Sequence, residues 1–233
     1  MIITPYRNSI FSGKSGGSFH LPSALHEWNY QNATDIGTTV TNPDTGTIGG
    51  LPMANPDAAS EPTLQSDGIV YDGVSEYIKN DVVDFRNSDT SGVLHTYFYF
   101  DGTTGIVFSA YQDASNYLIL NIVGGDLPQF LVKISGTNYI LRGSNTISIG
   151  WNCISVVQND IVAKLYINGV VETMYSIDTT AGAWFNIINT ISFNLAHLPI
   201  TNYYAQKIKY VSYCPYVDSA TAISEQNEII NAL

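Results

Sequence analysis

The segment from Trp151 to Tyr175, W-N-C-I-S-V-V-Q-N-D-I-V-A-K-L-Y-I-N-G-V-V-E-T-M-Y, constrains the fold more than any other part of the chain. It reads as three short β-strands joined by tight turns at Asn159-Asp160 and Asn168-Gly169. Asn-Gly is the strongest short-range hairpin signal, because both central residues of a type I′ turn need φ > 0. Ala163, Leu165 and Ile167 alternate with Lys164 and Tyr166, the period of a strand that buries one face. These residues are turn formers and core alternation, with no catalytic group among them.

Further strands are expected at Val93–Phe100, Gly105–Tyr111, Tyr117–Val123, Gln129–Ile134, Asn138–Leu141 and Thr146–Ile149, then at Thr190–Leu195 and Gln206–Cys214. Upstream, Leu25–Ile36 reads as a first strand, and Ile69–Tyr71 leads through Asp72-Gly73 to Tyr77-Ile78 as a hairpin-like element. Between them, Gly37 to Gln65 is a long polar connection, of a length that usually covers a surface or has a role. Many short strands with turn signals between them indicate an antiparallel sandwich or a closed sheet. One helix is expected at the C-terminus, with Ser224 as N-cap and with Glu225 and Glu228 on a solvated face. Residues 25–233 then form one β-sandwich domain, since a chain of 233 residues can bury one substantial core. Residues 1–24 have no periodic apolar segment and include Ser12-Gly13-Lys14-Ser15-Gly16-Gly17-Ser18, a flexible linker composition. They read as an N-terminal arm that a neighbouring subunit, of this chain or another, must hold if it is ordered.

Composition excludes several classes of partner. Nine Lys+Arg against twenty Asp+Glu give a net charge of -11, with no basic run, so a phosphate backbone would be repelled and nucleic acid is not an expected partner. No apolar run is long enough to insert in a membrane. The start M-I-I-T-P-Y-R-N-S-I-F-S-G lacks the basic and apolar regions of a secretory signal. Charged residues make up 12% of the chain, about half the usual share, so the surface must be built from Ser, Thr, Asn, Gly and Tyr. Such a neutral, aromatic-rich surface suits sugar contact or packing inside a larger assembly. Cys153 and Cys214 lie far apart, each in an expected strand, and read as free buried thiols rather than a disulfide framework.

Three segments together resemble the concanavalin A-like lectin/glucanase superfamily, and within it the laminin-G-like domains. Val70-Tyr71-Asp72-Gly73-Val74-Ser75-Glu76-Tyr77-Ile78 is similar to the family's F-D-G-x-x-D-Y-I segment. Trp151–Tyr175 is similar to its W-x-x-V-x-V-V … L-Y-I-N-G meander. Lys207–Tyr213 followed by Ala222-Ile223-Ser224-Glu225 resembles its closing strand and short helix. The resemblance covers residues 25–233 and implies an all-β fold, a two-sheet antiparallel jelly roll. It further implies a surface-recognition or adhesion module, of the kind found in bacteriophage virions and in secreted glycan-binding proteins. Its expected partners are a glycan or cell-surface polysaccharide and, through residues 1–24, other virion proteins. The expected location is the virion, assembled in the host cytoplasm; the alternative is extracellular. A structural virion protein that binds no sugar remains the competing reading.

The family's enzymes carry two or three carboxylates alternating on one strand as E-x-D-x-x-E, so that one can act as nucleophile and another as acid. This chain has no such strand, and a non-catalytic protein is expected. His20, His26, His95 and His197 have no zinc-ligand spacing with either cysteine. Calcium is the metal that the resemblance implies; Asp113 and Asn116, in Q-D-A-S-N, could supply oxygens, and an ordinary Asx turn explains the same residues without a metal. In Val93–Phe100, alternation puts Leu94, Phe98 and Phe100 toward the core and His95, Tyr97 and Tyr99 on the opposite face. With Tyr117 and Asn121 at alternate positions of a nearby strand, these five residues form a candidate aromatic platform for sugar rings. The competing reading is a second face that lies beneath a loop such as the segment from Gly37 to Gln65.

Overall fold

A computed structural model of the chain describes residues 19–82, 85–86, 88–159, 163–177, 184–203 and 207–233, so most of the expected arm and the turn at Asp160 lie outside the described residues. The chain forms two antiparallel sheets and a C-terminal helix, Ser219–Ala232. One sheet of eight strands runs in the order Val170–Val171, Lys164–Ile167, Gly150–Asn159, Ser91–Phe100, Lys207–Cys214, Gly68–Val70 and Thr63–Gln65, with His26–Asn29 also paired to Lys207–Cys214. The other sheet, of ten, runs Met174–Ile177, Thr137–Gly143, Leu127–Ile134, Asn116–Val123, Gly105–Asp113, Ser192–Leu195, Ile78–Asn80, Met53–Ala54, Thr39–Asn42 and Thr34–Ile36. A short ribbon of His197–Leu198 and Thr201–Tyr203 stands beside it.

The core is aromatic. Trp28, Phe98, Phe108, Phe130, Phe193 and Tyr213 come from strands and Trp184 and Phe185 from the connection before Ser192, all at most 2% exposed. Burying each ring stabilises the fold by about 1.5–3 kcal/mol, and the Trp184 indole N–H is satisfied by the Tyr213 hydroxyl at 3.2 Å.

The Asn-Gly hairpin forms as expected. Asn168 and Gly169 have φ of 49° and 82°, and Ile154 faces Ile167 while Val156 faces Leu165. The Asn168 side chain strengthens the turn by accepting the Cys153 N–H at 2.8 Å. Both cysteines are free and buried, and burial raises both thiols, Cys214 to about 12.

The expected hairpin from Ile69–Tyr71 to Tyr77-Ile78 does not form, because Gly68–Val70 joins the eight-stranded sheet and Ile78–Asn80 the ten-stranded one. Four further segments depart from expectation for local reasons. The first strand stops at Asn29, whose side chain accepts the Gln31 N–H and starts a 3-10 turn, Tyr30–Asn32. The connection from Gly37 to Gln65 contributes three strands; only Val40, Asn42 and Met53 of its first two point inward, which left a polar signature. Thr146–Ile149 is not a strand, because the backbone N–H groups of Ser144 and Asn145 turn to the Glu172 carboxylate at 2.9 and 2.7 Å. The helix begins at Ser219, not after Ser224, because the Asp218 carboxylate caps it by accepting the Thr221 N–H at 2.8 Å.

Candidate functional site

The helix decides what happens to His95, Tyr97 and Tyr99. It lies on the outer side of the eight-stranded sheet and buries Ala222, Glu225, Gln226 and Ile229. His95 beneath it is 0% exposed, bonded through Nδ1 to Ser155 Oγ at 2.6 Å and through Nε2 to Glu225 Oε2 at 3.1 Å. Glu225 therefore does not sit on a solvated helix face. Tyr97 packs on Trp151 at 5.3 Å between ring centroids, and half-buried Tyr99 meets the same indole edge-on at 5.6 Å. The Lys209 ammonium fills the aromatic cluster, 4.4 Å from the Trp151 centroid, 5.5 Å from Tyr30 and 5.8 Å from Tyr97. It also donates to the Leu233 carbonyl at 2.7 Å, and burial lowers its pKa. The expected open platform is thus capped by the chain's own helix and cation.

Tyr117 and Asn121 cannot share that face, because they belong to the other sheet. Leu118, Leu120 and Ile122 enter the core, leaving Tyr117, Ile119 and Asn121 on the outer face of the ten-stranded sheet. Tyr117 stands opposite Tyr111, with the Lys133 ammonium 5.3 Å from its ring centroid. Asn121 Oδ1 accepts from the Gln129 amide at 3.3 Å, and Gln129 Oε1 accepts from Arg142 Nε at 2.8 Å. A bulge at Val107, opposite the Leu120–Asn121 step, keeps Ile106 and Ser109 on this outer face. Ile106, Ile119, Leu131 and Leu198 form an apolar patch beneath the tyrosines.

At one edge of this face lies a cleft of about 420 Å³ lined by Tyr77, Lys79, Asp81, Tyr111, Ser192, Asn194 and His197. Asn194 is fully buried; its Nδ2 donates to Ser109 Oγ at 3.1 Å, and Ser109 Oγ donates to the His197 carbonyl at 2.6 Å. Among the described residues, its Oδ1 accepts no hydrogen bond. A buried acceptor left in that state costs about 1–3 kcal/mol, so it calls for a donor. The Tyr77 and His197 rings pack at 4.2 Å. Burial, and next the Lys79 charge, pushes the His197 pKa down to about 4, so this imidazole is neutral at pH 7. Lys79 pairs with Asp81 at 2.7 Å. Asn121 lines a second cleft of about 450 Å³, walled by Gly73, Gly105 and Gly124.

Asp113 and Asn116 form an Asx turn. Asp113 Oδ1 accepts the Ser115 N–H at 2.7 Å and the Asn116 amide at 3.0 Å, which lowers its pKa. Asn116 Oδ1 accepts the Ser135 N–H at 2.9 Å. The oxygens that calcium would need are engaged in the turn. Among the described residues, the His, Cys, Asp and Glu side chains close enough to share a cation are His95, Cys214 and Glu225.

No protein-family model matches the chain, and no curated protein sequence is similar to it. Its structure is similar to a Trypanosoma rangeli sialidase in complex with 2,3-difluoro-KDN, at 11% identity and a TM-score of 0.61, over 97% of this chain and 36% of that one. The leech intramolecular trans-sialidase matches at 12% identity and a TM-score of 0.51, over 64% of this chain and 27% of that one. The CBM40 of the Ruminococcus gnavus IT-sialidase, bound to α2,3 sialyllactose, matches at 13% identity and a TM-score of 0.47, over 57% of this chain and 81% of that one. What is shared is the fold. It is a two-sheet antiparallel β-sandwich.

Sequence alone pointed to Tyr117 and Asn121 but missed Asn194, Tyr111 and His197. The alternation Ser192-Phe193-Asn194-Leu195 was the available signal, because it puts two polar side chains on the face opposite two core residues.

Proposed function

We propose that this chain is a non-catalytic glycan-binding module and that it binds through the outer face of its ten-stranded sheet. The cleft at Asn194 carries this reading. A fully buried amide oxygen with no donor among the described residues lies there beside Tyr77 and Tyr111. A sugar supplies both missing components: a hydroxyl for the Asn194 oxygen and an apolar C–H face for the tyrosine rings. Tyr117, Lys133, Gln129 and Arg142 extend the same face with donors and an exposed aromatic edge. Hydrolysis is disfavoured, since a glycosidase needs two carboxyl groups about 5–10 Å apart across the bond. Asp113, at a strand end, is the one carboxylate carried by the strands from Gly105 to Gly143, and Asp81 is held by Lys79.

The test is an array of neutral and sialylated oligosaccharides probed with the wild-type chain, Tyr111→Ala and Asn194→Ala. Wild-type retention of some glycan, weakened at least about tenfold in both variants with their melting temperatures intact, is the expected result. Equal retention by all three proteins would overturn the assignment of the site. A virion setting, with residues 1–24 held by neighbouring virion proteins, is proposed as the context. It rests on the linker composition of those residues and the lysine-poor surface, and a monomer whose residues 1–24 are cut freely by protease would count against it.

A further inference from the structure

His95, Cys214 and Glu225 come from three different elements: strands Ser91–Phe100 and Lys207–Cys214, and the C-terminal helix. They are 0%, 0% and 5% exposed, and one ligating atom from each lies within 4.8 Å of the other two. We propose that they bind a zinc ion that clamps the helix to the eight-stranded sheet.

Zinc holds nitrogen and oxygen at roughly 2.0–2.2 Å and sulfur at about 2.3 Å. Tetrahedral ligands then stand roughly 3.3–3.7 Å apart, so a contraction of about an ångström closes the set. A mixed N, S and O donor set suits zinc and not calcium or magnesium. Ser23 Oγ, 2.5 Å from Glu225 Oε1 and 3.7 Å from Cys214 Sγ, stands at the fourth position, where it or a water completes the shell.

The surroundings also fit a metal-bound histidine. Ser155 Oγ holds His95 Nδ1 at 2.6 Å and is itself held by Gln226 Nε2 at 2.6 Å, so the ring is locked with Nε2 toward Glu225. Metal-ligating imidazoles are oriented in this way through their second nitrogen. The spot is anionic: Glu225 and Glu27 both press on the Cys214 thiol, adding to the effect of its burial. The ion-pair partner of Glu225 among the described residues is His95. A divalent cation reverses this balance: the Cys214 proton leaves to solvent, the thiolate binds, and His95 binds through unprotonated Nε2.

The experiment strips the full-length chain with EDTA and reloads it with Zn²⁺ alone or with Co²⁺ as a spectroscopic probe. One zinc per chain is expected, with a melting temperature that rises with zinc concentration. Cobalt should show tetrahedral d–d bands and a thiolate charge-transfer band. Cys214→Ala should lose that band and bind zinc more than about 100-fold more weakly, beyond the loss seen for partners that only orient a ligand. Wild-type chain that takes up no zinc, or takes up cobalt without a thiolate band, overturns the proposal whether or not any variant folds. Equal zinc affinity in wild type and Cys214→Ala does the same.

Discussion

The two outer faces of this sandwich carry the same kinds of residue and differ in how far the chain covers them. On the eight-stranded sheet Tyr97, Tyr99 and Trp151 form an aromatic cluster with His95 alongside, and the chain covers it with a helix and fills it with Lys209. On the ten-stranded sheet Tyr77, Tyr111 and Tyr117 are also accompanied by a histidine, yet a cleft stays open and Asn194 keeps an oxygen that has no donor among the described residues. Residue type therefore does not separate an open face from a packed one. What separates them is whether the protein itself satisfies the hydrogen-bonding groups and covers the rings.

The largest effects should come from the covered face and should appear in stability. Ile229→Ala removes a fully buried side chain from the helix seam and should cost about 2–4 kcal/mol in urea unfolding. Tyr97→Ala, which undoes the Lys209 cluster, should cost about 3 kcal/mol. Neither should change glycan retention where the variant is folded. A Tyr97→Ala protein as stable as wild type but unable to bind would reverse the roles of the two faces.

The local parts of the fold were legible and the juxtapositions were not. The Asn168-Gly169 turn and the alternation around it depend on neighbours in sequence, so they could be read directly. So could the outward placement of Tyr117 and Asn121 on their own strand. Which sheet a strand joins is a long-range matter, and the alternation of Val93–Phe100 gives no hint that a helix returns to cover one side. Glu225 shows why: its partner His95 is 130 positions away, and on a short terminal helix its charge suggested solvent. Asn194 and Ser109 are brought together across 85 positions.

Acid should act on the open face through His197. The His197 pKa lies near 4 in the folded chain, below the ordinary value of 6.5. A histidine depressed in this way stabilises the fold fully above about pH 6.5, and that contribution falls as pH drops and is lost through pH 4. The loss should be no more than about 3 kcal/mol. His197→Gln should flatten the slope of stability between pH 6.5 and 4, and an unchanged slope would mean that another group sets it.

A smaller effect, on binding alone, is expected at Tyr117. Its ring lies on the outer face, so Tyr117→Ala should weaken glycan retention about five- to tenfold while changing stability by less than about 1 kcal/mol. A loss confined to stability would return this residue to the packed class.

The smallest effect tests the Asx turn, which decides whether the rim of the open face needs a metal. Asp113 holds the Ser115 N–H and the Asn116 amide at an exposed corner. Asp113→Asn keeps an oxygen for that turn and should leave the melting temperature of wild type unchanged. Glycan retention should be the same in calcium and in EDTA for both proteins. Chelation that abolished wild-type binding, together with loss of calcium response in Asp113→Asn, would show that the carboxylate serves a cation after all. In that case the open face would differ from the covered one in its ion as well as in its exposure.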